Sequence, residues 1–153
     1  MFWNTIYQPT TFSEICHNQQ LINQLLTMNV TSIEDMNHLI LKGPPESGKY
    51  TILRIWLKSL VPSTVTDRIQ RSEFTVKHTT IMIEHTQYYY IIDLVQTPLF
   101  KKHVYFIDFI KQLCKTRNIV SQLPNVILIR HAELMNEIQQ KMLRKIMETY
   151  SIN

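Results

Sequence analysis

Seven residues constrain this chain more than any others: Gly43-Pro44-Pro45-Glu46-Ser47-Gly48-Lys49, a G-x-x-x-x-G-K loop. They follow a short apolar run, His38-Leu39-Ile40-Leu41-Lys42, which suits a buried strand. After them Ile52, Ile55, Trp56 and Leu60 recur at helical spacing until Pro62 stops the pattern. Strand, tight loop and helix in that order gather backbone N–H groups and the positive end of a helix dipole around one anion. A lysine at the last position then reaches the β- and γ-phosphates of a nucleotide. Gly43 and Gly48 are the only two glycines among 153 residues, against about eleven at average usage. A chain so poor in glycine keeps it where the backbone needs φ > 0 or where a ligand must come close.

Full loops of this kind place Ser or Thr directly after the lysine, where the hydroxyl ligates Mg²⁺. Here Tyr50 takes that place and Thr51 comes one later, about 100° further round the helix. A metal-holding carboxylate is also expected at the end of a later apolar strand. Val126-Ile127-Leu128-Ile129 is that strand, but Arg130-His131-Ala132-Glu133 follows it. Arginine can neither ligate magnesium nor act as a base at neutral pH, which leaves Glu133 as the nearby carboxylate. His131 could accept a proton, although a lone histidine at a strand end is ordinarily a polar rim residue. These residues predict a site that binds ATP or ADP, with a doubtful role for Mg²⁺ and little or no hydrolysis. No catalytic residue and no metal ligand is assigned. The bland alternative is a vestigial turn that no longer binds nucleotide.

The rest of the chain supplies a fold for the loop. Hydrophobic residues make up 44% and charged residues 18%, enough apolar surface for one domain of modest size. Cys16 and Cys114 lack metal-ligand spacing and read as reduced thiols. No apolar run is long enough to span a membrane, and Met1-Phe2-Trp3-Asn4 does not open a signal peptide, so a soluble intracellular domain is expected. The first dozen residues read as an extended arm. Leu21, Ile22, Leu25 and Leu26 then mark a helix with Asn18 as its cap. Residues 63–80 are polar and resist assignment. Tyr88-Tyr89-Tyr90-Ile91-Ile92 predicts a strand, Val104, Ile107, Ile110 and Leu113 a helix, and Met135, Ile138, Met142 and Ile146 a last helix to about Tyr150. That alternation predicts an α/β parallel sheet with crossover helices.

Three stretches also resemble a known family. Trp3, Tyr7-Gln8-Pro9 and Phe12-Ser13-Glu14-Ile15 are similar to the W…K-Y-R-P…L-x-E-I start of clamp-loader ATPases. His38 to Lys49 looks like their P-H-L-L-x-x-G-P-P-G-x-G-K, and Gln139 to Ser151 resembles the Q-x-A-L-R-R-x-M-E-x-Y-S helix of replication factor C small subunits. Residues 62–120 match only loosely. The resemblance implies a P-loop NTPase fold of the AAA+ type, with Tyr7 and Pro9 joining residues 43–51 at the nucleotide. It implies other clamp-loader subunits, a sliding clamp and primer-template DNA as partners, and a nuclear location, or a viral factory in the cytoplasm. Tyr50 and the degenerate motif at Arg130, His131 and Glu133 resemble the non-hydrolysing small subunit, and Gln8 replaces the arginine of the tyrosine-arginine-proline motif.

The chain ends at Asn153. On the family pattern, residues 1–153 are the N-terminal part of an AAA+ nucleotide-binding domain, without the sensor-1 strand, arginine finger, lid and collar. The sensor-1 strand would lie between the P-loop strand and the strand ending at Arg130, so both are expected to lack a neighbour. A truncated fragment therefore remains an alternative, as does an active P-loop enzyme such as a nucleotide kinase. Two surface features complete the expectations. A helix bearing Lys101, Lys102, Lys111, Lys115 and Arg117 could face DNA phosphates, or be a solvated basic face on a chain of net charge +4. Arg144 and Lys145 would face a neighbouring subunit. Tyr88, Tyr89 and Tyr90 suit core packing better than base stacking.

Overall fold

The computed structural model describes residues 7–116 and 124–150, so Trp3, Arg117 and Ser151 lie outside the described residues. The chain divides into two compact units, Met1–Val65 and Thr66–Asn153.

The first unit is built on two helices. A 3-10 turn at Phe12–Glu14 ends the N-terminal arm, and helix α1 spans Gln19–Thr27. Of the expected stripe, Ile22 and Leu25 are buried and Leu21 is half-buried, whereas Leu26 is exposed. Asn18 stands at the cap position but does not cap: its backbone is left-handed, at φ 61°, and its side chain points elsewhere. Helix α2 spans Lys49–Ser59 and buries Ile52, Ile55, Trp56 and Leu57.

The strand expected at His38–Lys42 is not formed, and this corrects the sequence reading. A strand exists only beside another strand, and the first unit contains no other among the described residues. Residues 37–42 accordingly make no backbone–backbone hydrogen bond among the described residues, and Ile40 is 91% exposed.

The second unit holds a four-stranded sheet of order β1-β2-β3-β4, with β1 at Gln70–Val76, β2 at Thr79–His85, β3 at Tyr89–Asp93 and β4 at Val126–Arg130. The expected α/β class with flanking helices is found, but the expected parallel pairing holds for one strand pair alone. β1 pairs antiparallel with β2, and β2 with β3; only β3 and β4 run parallel. Connection length explains the difference. Lys77, in a left-handed conformation at φ 56°, turns β1 into β2 across two residues, a link that only antiparallel strands can accept. β3 reaches β4 through helix α3, His103–Lys115, which is the crossover that parallel strands require.

Helices α3 and α4 (Glu137–Tyr150) pack with one face of the sheet. Phe106, Phe109, Ile110 and Leu113 of α3 join Val76, Ile81, Ile83, Ile92 and Phe100 in one apolar core, with Ile146 of α4. Phe100 stacks on Phe109 with ring centroids 5.4 Å apart. Each fully buried side chain of this size contributes about 1.5–3 kcal/mol. α4 starts on a reciprocal capping box: Asn136 N–H donates to Gln139 Oε1 and Gln139 N–H to Asn136 Oδ1, both at 2.9 Å. Gln139 is 2% exposed, and its Nε2 donates to the Phe100 carbonyl at 2.6 Å, which fixes the start of α4 to the turn before α3.

Tyr88 and Tyr89 are buried, and both hydroxyls donate to Asp67 Oδ1, at 2.9 and 3.2 Å. That is the core role expected of them. No helix among the described residues is long and apolar enough to cross a membrane.

Candidate nucleotide-binding site

Residues Gly43 to Thr51 form a loop and the first turn of α2. Gly48 occupies the position before the helix at φ 76°, a left-handed conformation that glycine adopts without steric cost. Gly43 has no such φ; a Cβ there would sit 3.5 Å from Lys49 Cδ and 3.7 Å from Ser47 Oγ, ordinary contacts. Glu46 is the second left-handed residue of the loop, at φ 58°. Glycine forms such a turn most easily, and here a glutamate holds it.

The lysine is folded onto its own loop. Lys49 Nζ donates to the Gly43 carbonyl at 3.0 Å, to Ser47 Oγ at 3.1 Å and to the Pro44 carbonyl. Its ammonium therefore lies within the ring of atoms it would leave to meet a phosphate. Asn18 braces the loop from α1, with Nδ2 donating to the Ser47 carbonyl at 2.6 Å. Sequence reasoning assigned Asn18 to helix capping; the left-handed turn at Asn18 frees its amide for the loop.

Pro44, Pro45 and Glu46 are exposed, while Ser47, Lys49, Tyr50 and Thr51 are half-buried. Tyr50 lies on α2 with its ring 5.9 Å from the Arg54 guanidinium carbon, an i,i+4 cation–π pair. Tyr7 and Pro9 belong to the arm; Tyr7 is exposed and Pro9 half-buried. Glu14 accepts the Thr10 N–H at 2.7 Å, and that hydrogen bond holds its carboxyl below the usual carboxylate range.

The remaining candidate residues lie in the second unit. Arg130 ends β4 beside Asp93, its register partner at the end of β3, with Nη1 3.4 Å from Asp93 Oδ2. Asp93 is 7% exposed, and its Oδ1 accepts the Val95 and Gln96 N–H groups at 2.9 and 3.2 Å. In the sequence Asp93 stands simply as a charged residue between Ile92 and Leu94. Its pairing with Arg130 appears once the two strands lie side by side. His131, left-handed at φ 58°, and Glu133 are exposed, with Nδ1 and Oε1 3.4 Å apart. Among the described residues no group of three or more His, Cys, Asp or Glu side chains could hold a metal ion.

Lys101 and Lys102 do not lie on α3. Lys101 closes the 3-10 turn Pro98–Lys101 and Lys102 is the residue before the helix, because Pro98 starts a tighter turn there. Both are exposed, as are Arg144 and Lys145 on α4. No model of a known protein family matches the chain, and no curated protein matches it either.

Proposed function

We propose that this chain is a clamp-loader-type AAA+ subunit of the replication factor C small-subunit kind, which holds ATP or ADP without turning it over. The observation that carries the reading is the Gly43–Lys49 loop opening α2, with Gly48 left-handed and the Lys49 ammonium inside the loop. Such a loop supplies inward N–H donors, a helix dipole and one mobile cation, the elements that hold a phosphate chain. Tyr50 in place of a hydroxyl residue, and Arg130 in place of a strand-end carboxylate, favour holding over cleavage. In this role the subunit joins other clamp-loader subunits and a sliding clamp at primer-template DNA. Lys101 and Lys102 serve as phosphate contacts, and Arg144 and Lys145 as part of a subunit contact.

Co-expression with the remaining clamp-loader subunits of the same source tests this reading. Stoichiometric recovery of the chain in the assembled complex is expected, with loss on charge reversal at Arg144 and Lys145. Assembly of a complete complex that excludes the chain overturns it.

A further inference from the structure

β1 is an edge of the sheet, and it carries few of the usual guards against pairing with another strand. It pairs with β2 in unbroken register from Gln70↔His85 to Val76↔Thr79, so no bulge twists it away. Its seven residues include neither proline nor lysine. Val76 and Thr79 flank a two-residue turn and so exchange backbone hydrogen bonds, and the alternation of an antiparallel ladder sets the rest. Gln70, Ser72, Phe74 and Val76 turn their N–H and C=O groups toward β2, whereas Arg71, Glu73 and Thr75 turn theirs to the open edge. Among the described residues these outward groups make no backbone–backbone hydrogen bond. The side chains of the same three residues are exposed on one face of the strand.

We propose that the open edge of β1 is an interface between two copies of this chain, which join as antiparallel strands about a two-fold axis at Ser72. Charge complementarity selects both the partner and the register. With Arg71 opposite Glu73 of the second copy, the symmetry forms the same opposite-charge pair twice, between residues whose backbone groups both face outward. A slip of one pairing step sets Glu73 against Glu73 of the second copy, and a slip the other way sets Arg71 against Arg71; both oppose like charges. Glu73 has no counter-charge of its own: across β2 it faces Met82, and among the described residues it makes no ion pair. Arg71 donates from Nε and Nη2 to Glu84 Oε1, at 2.9 and 2.6 Å, which holds the guanidinium over the strand and leaves Nη1 for a second carboxylate. On the opposite face the half-buried Phe74 gains cover from Gln70 of the second copy. The contact lies wholly within the second unit and is independent of the nucleotide-binding reading.

Sedimentation equilibrium of the full chain, from micromolar to near-millimolar concentration, tests this. A reversible monomer–dimer equilibrium is expected. Glu73→Arg opposes an arginine to Arg71 of the second copy and should weaken the dimer at least about tenfold; Arg71→Glu should do the same through two carboxylates. Mixing the two variants restores both opposite-charge pairs, so a heterodimer should form where neither variant dimerises alone. A chain that stays monomeric throughout overturns the proposal, as does open-ended association or a dimer indifferent to Glu73→Arg. Failure of the mixture to pair overturns it equally, provided circular-dichroism melts show both variants folded. Should Arg71→Glu melt early for want of its bond to Glu84, the comparison of Glu73→Arg with the unaltered chain decides by itself.

Discussion

Only one of the two glycines is required by its backbone, and substituting each by alanine separates them. At Gly48 the space is open, with nothing within 4 Å of an added Cβ, so the whole cost is the backbone at φ 76°. Holding a non-glycine residue in the left-handed region costs about 1–2 kcal/mol. Alanine also lowers the entropy of the unfolded chain, which offsets about 0.4–1 kcal/mol. Gly48→Ala should therefore destabilise by about 1 kcal/mol, or about 0.5 M in urea midpoint for a typical slope near 2 kcal/mol/M. At Gly43 the new methyl meets Lys49 Cδ at an ordinary 3.5 Å and no left-handed φ is required. Gly43→Ala should stay within about 0.5 kcal/mol. Glu46→Gly removes the left-handed penalty at φ 58° and should be neutral or stabilising by up to about 1 kcal/mol. Urea unfolding followed by Trp56, which is buried in α2, reads all three in a Trp3→Phe background. A Gly43→Ala cost equal to that of Gly48→Ala, or a clear loss with Glu46→Gly, would refute the loop geometry.

Other consequences are open to simple measurements. Arg130→Ala leaves the buried Asp93 carboxylate without its counter-charge; because the arginine is partly exposed, about 1–2 kcal/mol of stability should be lost, and Asp93→Asn in the same background should restore part of it. A double-mutant cycle with no coupling would contradict the pairing. Burial pushes the Cys114 thiol up, whereas Cys16 is exposed, so iodoacetamide at pH 8 should label Cys16 first and Cys114 only as the pH rises further. Equal labelling rates at pH 8, read by mass spectrometry, would sink that expectation. Charge reversal at Lys101 and Lys102 should weaken binding to primer-template DNA and flatten its salt dependence; an unchanged salt slope would remove both residues from the DNA contact.

Much of the local structure was legible because it depends on local periodicity. The leucines of α1, Ile52, Ile55 and Trp56 of α2, and the apolar stripes of α3 and α4 each declare a helix through spacing alone. β4 was legible as an unbroken apolar run before a charged end. What failed depends on partners. His38 to Lys42 has the composition of a strand, but pairing lies in another segment of chain, and composition carries no register. β1 was missed because its residues alternate only weakly, with Phe74 and Val76 the sole apolar members facing in. The Asp93–Arg130 pair and the bond from Gln139 to Phe100 join residues far apart in sequence, and neither type announces a partner in advance. The site followed the same division. The start of α2 just after Gly48 was legible, whereas the brace from Asn18 and the left-handed Glu46 depend on the folded chain.

Nucleotide retention without turnover is the central claim, and one paired measurement tests it. The chain is incubated with γ-labelled ATP, bound nucleotide is counted by filter retention, and released phosphate is followed in the same sample. Saturable binding near one nucleotide per chain with no phosphate release over many hours is predicted, with binding abolished by Lys49→Ala. Steady multiple turnover, or binding that survives Lys49→Ala, would contradict it.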